Sequence, residues 1–162
     1  MNLWAVVQSL VILTLANGTP VVAKKVFGAR FSRALDGGTT FFDRRPLFGP
    51  SKTVRGIVVA ILATAAGAPI VGVDPEVGAL MAAAAVAGDL FSSFVKRRLD
   101  LPPSSQALGL DQVPESLLPL LVGNWALSLT DVEIVVGVVL FFVGELLLAR
   151  VLYKVRLRDQ PY

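Results

Sequence analysis

Apolar residues fall into five long runs, and charged residues are almost confined to the gaps between them. The runs cover Leu3–Ala16, Val54–Val71, Val77–Val95, Val113–Leu129 and Val132–Tyr153. A helix needs about 20 apolar residues to cross a bilayer, and shorter runs suffice where tilt is small or the bilayer thins. The pattern predicts an all-α fold: a polytopic membrane protein of five transmembrane helices, as one domain over residues 1–162. Four spans, with the first or fourth segment re-entrant, is the alternative. The third run holds the small-residue stretch Gly78 to Gly88. Small side chains let helix backbones approach closely in lipid, so this stretch predicts a tightly packed interior helix.

The gaps differ in character. Residues 17–53 are long, basic and rich in glycine; Asn17-Gly18-Thr19-Pro20 reads as a turn closing the first span, and Asp36-Gly37-Gly38 as another. Residues 72–76 and 128–133 are short and acidic. All fifteen Lys and Arg lie in three clusters, Lys24 to Arg55, Lys96 to Arg98 and Arg150 to Arg158. Cytoplasmic loops are enriched in Lys and Arg. With five spans this puts the N-terminus outside and the C-terminus inside, in a multi-pass protein of the plasma membrane. The polar residues that could act on a substrate sit in or beside the same clusters, so the active site is expected on the cytoplasmic side.

Composition sharpens this picture. Hydrophobic residues make up 54%, charged residues 17%, and the mean hydropathy is +0.69; a soluble domain carries about a quarter charged residues. No cleavable signal peptide is evident, and Met1 to Ala16 reads as a first helix that stays in place. The chain has no Cys and no His. Disulfides, thiolate and His-ligated zinc, and Ser-His-Asp hydrolysis are excluded. Catalysis must use carboxylates, Lys, Arg, hydroxyls, backbone groups or a metal held by oxygen. The basic clusters suit anionic lipid or a phosphorylated substrate; nothing in the pattern calls for nucleic acid.

The third run ends in Gly88-Asp89-Leu90-Phe91-Ser92-Ser93-Phe94-Val95-Lys96-Arg97-Arg98. On a helix, Asp89, Ser92, Ser93 and Lys96 share one face. An aspartate in a spanning segment is costly unless it meets a cavity, a partner or a metal. A packing ion pair with Lys96 is the structural reading; the added hydroxyls and arginines favour function. Asp111-Gln112 opens the fourth run. Asp111 or Ser116 alone would read as a helix N-cap, but with Asp89 the Asp111 carboxylate offers a second oxygen ligand for Mg2+. Lys52, Thr53 and Arg55 sit at the start of the second run, where helix amides favour anions; ordinary anchoring explains them equally well. Gly49-x-x-Lys52-Thr53 is not a nucleotide-hydrolase phosphate loop, because position 45 is Arg45 and no strand precedes it. Glu145, inside the fifth run, reads equally well as a structural partner of the basic end.

Ala16-Asn17-x-x-Pro20, Asp36-x-Gly38, Gly49-x-x-Lys52-Thr53-x-Arg55-Gly56, Gly88-Asp89, Ser93-Phe94-x-Lys96-Arg97-Arg98 and Asp111-Gln112 occur in that order. Together they resemble the CDP-archaeol synthase family, over nearly the whole chain. The resemblance implies five spanning helices, a cytoplasmic site and Mg2+ dependence. It also implies CMP transfer from CTP to an isoprenoid-ether glycerol phosphate. Asp89 and Asp111 would hold the metal and, with Lys96, form the catalytic set. Lys52, Arg55, Lys96, Arg97 and Arg98 would hold phosphates. Asn17, Asp36, Thr53, Ser92, Ser93 and Gln112 complete the expected substrate contacts. The family often has a second Asp shortly after Asp-Gln, where this chain has Glu115 as an approximate substitute. Diacyl phosphatidate as acceptor, or a non-enzymatic transporter or lipid-binding scaffold, are the competing readings. Homodimer formation is left open.

Overall fold

The structure is a computed structural model that describes residues 1–154. It contains five α-helices: α1 (Leu3–Phe27), α2 (Val54–Gly67), α3 (Pro75–Arg98), α4 (Gln112–Leu127) and α5 (Asp131–Lys154). A 3-10 turn, Ala68–Val71, extends α2. Among the described residues there are two isolated β-bridges, Ala34 with Thr53 and Thr40 with Pro46, and no longer ladder. Among the described residues, four helical segments are long and apolar enough to cross a membrane: Leu3–Phe27, Val54–Val71, Pro75–Arg98 and Asp131–Val151. α4, with 16 residues, rises about 24 Å. The last residues of the third basic cluster, including Arg156 and Arg158, lie outside the described residues.

The first span corrects one expectation. α1 does not stop at Ala16 but runs through Asn17-Gly18-Thr19-Pro20 to Phe27. Asn17 Nδ2 donates to the Leu13 carbonyl at 3.1 Å, and Thr19 Oγ1 to that of Leu15 at 2.8 Å. These residues turn their polar groups back onto their own helix. In an apolar setting the helix is the way to satisfy the backbone, and it outweighs the local turn preference.

α1 packs against α2, α3 and α5, and α3 against α4 along the largest interface. Ile12, Leu13, Met81 and Leu120 are fully buried at the centre. The small-residue stretch packs as expected: Gly78, Ala82, Ala85 and Gly88 are buried at helical spacing. A Cβ on Gly88 would lie 2.3 Å from the Pro114 carbonyl oxygen, so α3 and α4 touch backbone to backbone there. Trp4 and Trp125 are exposed near the start of α1 and the end of α4, where interfacial tryptophans anchor a bundle. α5 begins with a capping box: Thr130 N–H donates to Glu133 Oε2 at 2.8 Å and Glu133 N–H to Thr130 Oγ1 at 3.3 Å. The other Glu133 oxygen accepts from Asn2 N–H, which pins the start of α1 to the start of α5.

Candidate active site

Loop 28–53 returns to its own base. Leu35 N–H donates to the Lys52 carbonyl at 2.8 Å and Val54 N–H to that of Arg33 at 3.1 Å. Asp36 organises the loop interior. Its carboxylate accepts from Gly38 N–H at 3.0 Å, Phe48 N–H at 3.1 Å and Gly49 N–H at 2.9 Å. Partial burial pushes the Asp36 carboxyl upward, but the amides of Gly38, Gly49 and Phe48 outweigh that and hold it below the usual range. Gly49, at φ +91°, needs a conformation that favours glycine and sits against the Arg97 guanidinium. Thr53 caps α2 by accepting from Gly56 N–H at 3.1 Å.

This loop delivers Lys52 to α3. Its ammonium lies 2.5 and 2.6 Å from the two carboxylate oxygens of Asp89. Burial works against the charge of Lys52, but Asp89, with Glu115 and Asp111 beyond it, holds the ammonium above its ordinary pKa. Two turns along α3, Lys96 Nζ pairs with Asp111 Oδ1 at 2.6 Å and donates to the Ser105 carbonyl at 3.0 Å. Asp111 Oδ2 accepts from Ala107 N–H at 2.8 Å. The carboxylate therefore turns back to fold loop 99–111 rather than capping α4, which has no side-chain cap. Gln112 Oε1 accepts from Gly109 N–H at 2.9 Å in the same loop. Ser116 is not a cap either; its hydroxyl returns to the Gln112 carbonyl at 2.7 Å.

Two connected cavities surround these pairs. A polar one of about 710 Å3 is lined by Lys52, Asp89, Ser93, Lys96, Arg97, Asp111, Gln112 and Glu115. A more apolar groove of about 880 Å3 runs between α1, α2 and α5, past Leu10, Ile57, Val86, Leu140 and Phe141. Lys24, Lys52, Asp89, Glu115 and Glu145 line both.

Most of the residues singled out from the sequence converge here, and some do not. Asn17, Thr53 and Arg55 line the groove, not the polar cavity. Arg55 also ties α2 to the end of α1, donating to the Gly28 carbonyl at 2.9 Å. Ser92 lines neither cavity; its hydroxyl joins α3 to the Gly88 and Leu110 carbonyls, at 2.9 and 2.5 Å. Asp36 acts on loop amides, outside both linings. Arg98, expected among the phosphate-holding cations, is a loop clamp. Its Nε is 2.9 Å from Asp43 Oδ2, its Nη2 donates to the Pro46 carbonyl at 2.6 Å, and its guanidinium lies over both the Phe41 and Phe94 rings. Glu115, only an approximate substitute in the sequence, places its carboxyl against Asp89. Its helical spacing from Gln112, one turn on, was the available signal. Lys24 and Lys25 join the lining because α1 is longer than expected.

The donor set suits a hard cation. Asp89, Asp111 and Glu115 bring to the cavity the oxygen donors that a hard cation such as Mg2+ takes, usually one or two carboxylates completed by substrate phosphates. Among the described residues no three His, Cys, Asp or Glu residues are grouped so as to hold a metal ion.

Helices crossing a bilayer, with alternating lysines and carboxylates gathered at their basic end, define an intramembrane enzyme that handles anionic substrates. Comparison with known proteins agrees. Residues 3–162 match the family model described as "CarS-like: CDP-archaeol synthase". The chain is 33% identical over 156 residues to the CDP-archaeol synthase of Pyrobaculum calidifontis, covering 91% of this chain and 90% of that protein. It is 39% identical over 109 residues to that of Thermococcus onnurineus, covering 60% and 61%. A solved structure of an intramembrane enzyme for archaeal membrane lipid biosynthesis superposes with a TM-score of 0.62 at 29% identity, covering 84% of this chain and 89% of the other. The chain belongs to the CDP-archaeol synthase family.

Proposed function

We propose that this enzyme transfers CMP from CTP to an isoprenoid-ether glycerol phosphate, 2,3-di-O-geranylgeranylglycerol 1-phosphate, releasing pyrophosphate. The observation that carries the reading is the shared wall. The polar cavity and the apolar groove meet at Lys52, Asp89 and Glu115. A nucleotide in the first and a lipid chain in the second would bring two phosphates together there. The basic cluster beside the site argues for the cytoplasmic leaflet of the plasma membrane, with the N-terminus outside.

The chemistry asks little of a general base. A phosphate monoester is largely dianionic near neutral pH, its second pKa being about 6. One of its oxygens attacks the α-phosphorus of CTP in line; the new P–O bond forms as the bond to pyrophosphate breaks, and pyrophosphate leaves with the electron pair. The barrier is charge crowding and positioning. Lys52, Lys96 and Arg97 hold the phosphates of the two substrates. Asp89 and Asp111 would hold Mg2+, with Glu115 beside them, and the ion would supply neutralisation of the charge developing on the transferred group. Ser93 and Gln112 border the nucleotide, and Asn17, Thr53 and Arg55 the lipid.

The test is turnover of purified protein with labelled CTP and Mg2+. Geranylgeranyl-ether glycerol phosphate and diacyl phosphatidate are offered separately, with Asp89→Ala as control. The expected result is CMP–lipid from the ether lipid, reduced at least about a hundred-fold in a folded Asp89→Ala protein. Equal transfer to both lipids would remove the substrate assignment. Normal turnover by Asp89→Ala would remove the assignment of the site.

A further inference from the structure

The tip of loop 28–53 spends several interactions to hold an aromatic ring outward. Thr40 pairs with Pro46, Phe41 N–H donates to the Arg45 carbonyl at 2.8 Å, and Arg44 N–H to the Phe41 carbonyl at 2.9 Å. Asp43 closes the turn, accepting from Arg45 N–H at 3.0 Å and pairing with Arg98 at 2.9 Å. Within this turn Phe41 leans toward α3. It meets Phe94 edge-on with centroids 5.3 Å apart, and the Arg98 guanidinium covers both rings. Phe42, 5.0 Å from Phe41 between centroids, is 96% exposed.

The depth of this tip follows from Phe94. That residue lies four positions before the end of α3 at Arg98, about 6 Å back along the helix. The tip is therefore held beside the last turn of α3, not above it. One turn further into the span is Phe91, also exposed, on a helix that crosses the membrane. Phe94 and Phe41, in contact with each other, thus link the exposed Phe91 of α3 to the exposed Phe42 of the loop tip. Arg44, exposed beside Phe42, supplies the positive charge that suits anionic headgroups.

We propose that Phe42 and Arg44 form a membrane anchor: the Phe42 ring inserts at the headgroup–acyl boundary of the leaflet next to the basic helix ends, and Arg44 meets the lipid phosphates. Amphipathic surfaces with aromatic and basic residues bind at this level of a bilayer. The anchor ties to the membrane surface the same loop that delivers Lys52 to Asp89. The inference does not depend on the reaction proposed above.

The chain has no cysteine, so a single substitution gives a unique label. Phe42→Cys would be spin-labelled in the full chain and reconstituted in vesicles of equal parts phosphatidylcholine and phosphatidylglycerol. Collision rates with oxygen and with a water-soluble nickel chelate would then be measured. Glu76→Cys, in the exposed first turn of α3, is the aqueous reference, and Leu80→Cys, on the exposed face of α3, the bilayer reference. The label at 42 should collide with nickel several-fold less than the label at 76, with oxygen access approaching that at 80. Nickel access equal to that at 76 overturns the proposal. So does dipolar broadening between labels at 42, which would put a second copy of the chain on the tip instead of lipid.

Discussion

Gly88→Ala tests whether the α3–α4 contact sets the geometry of the site. A Cβ at this position would lie 2.3 Å from the Pro114 carbonyl oxygen, 2.5 Å from its carbon and 2.8 Å from the Glu115 nitrogen. All three are backbone atoms, so no rotamer change relieves them. Ordinary contact begins at 3.4 Å; subtracting 2.3 from 3.4 leaves a required displacement of about 1 Å. Overpacking costs about 1–3 kcal/mol, and the better helix propensity of alanine offsets up to about 1 kcal/mol. The net change in stability should be roughly 0–2 kcal/mol. Activity should suffer more. The displaced atoms neighbour Asp89 on one helix and carry Glu115 on the other, and a misplacement of about 1 Å can cost a hundred-fold in rate. Gly137→Ala is the control: its Cβ would meet only the flexible end of Leu120, at 3.1 Å, and the residue lines neither cavity. The assay pairs thermal unfolding in detergent with CMP transfer. Gly88→Ala protein that transfers CMP at the wild-type rate would refute the reasoning. So would an equal loss in Gly137→Ala, which would trace the effect to general loosening.

Three further outcomes follow from the geometry. Because the Asp36 carboxyl is held below its ordinary pKa, its contribution to loop order is present above the unfolded value of about 3.9 and is lost as pH falls through the lower folded value; exchange protection of the Phe48 and Gly49 amides should therefore hold near neutrality and fail only in acid, whereas Asp36→Ala should lose it at every pH. Glu133→Ala removes the side-chain half of the α5 capping box and the pin to Asn2, while Thr130 Oγ1 still accepts from the residue-133 amide, so it should lower the unfolding temperature with CMP transfer unchanged; Glu133→Gln should recover only part of the loss, because its NH2 is a donor where both carboxylate oxygens accept. Arg98→Lys should not rescue the looseness of Arg98→Ala, read as faster proteolysis of loop 28–53, because an ammonium cannot reproduce a planar guanidinium that lies over two rings while also bonding Asp43 and the Pro46 carbonyl.

The spans were legible because hydropathy in a bilayer leaves the backbone little alternative, and α3 and α5 begin and end within a few residues of their apolar runs. The end of α1 was not legible, because Asn-Gly-x-Pro signals a turn in water and its side-chain bonds to Leu13 and Leu15 exist only once the helix has formed. Helical spacing correctly put Asp89, Ser93 and Lys96 on one wall. It could not separate Ser92, whose partner Leu110 lies on a loop that the period of α3 does not describe. The partners of Arg98 were hidden for the same reason at longer range: Phe41 and Asp43 are more than fifty residues away in sequence. A run of three basic residues looks alike whether it faces a phosphate or an aromatic clamp.

The charges around the site divide by depth. The inner four, Lys52 with Asp89 and Lys96 with Asp111, are largely buried and mutually neutral, so their field dies away over a short distance. The exposed rim, with Arg30 and Arg33, carries positive charge that reaches into solvent. Capture and retention of a polyanion are thereby assigned to different residues. Added salt screens the rim and not the buried pairs, so rising ionic strength should slow the arrival of nucleotide while leaving its residence time nearly constant.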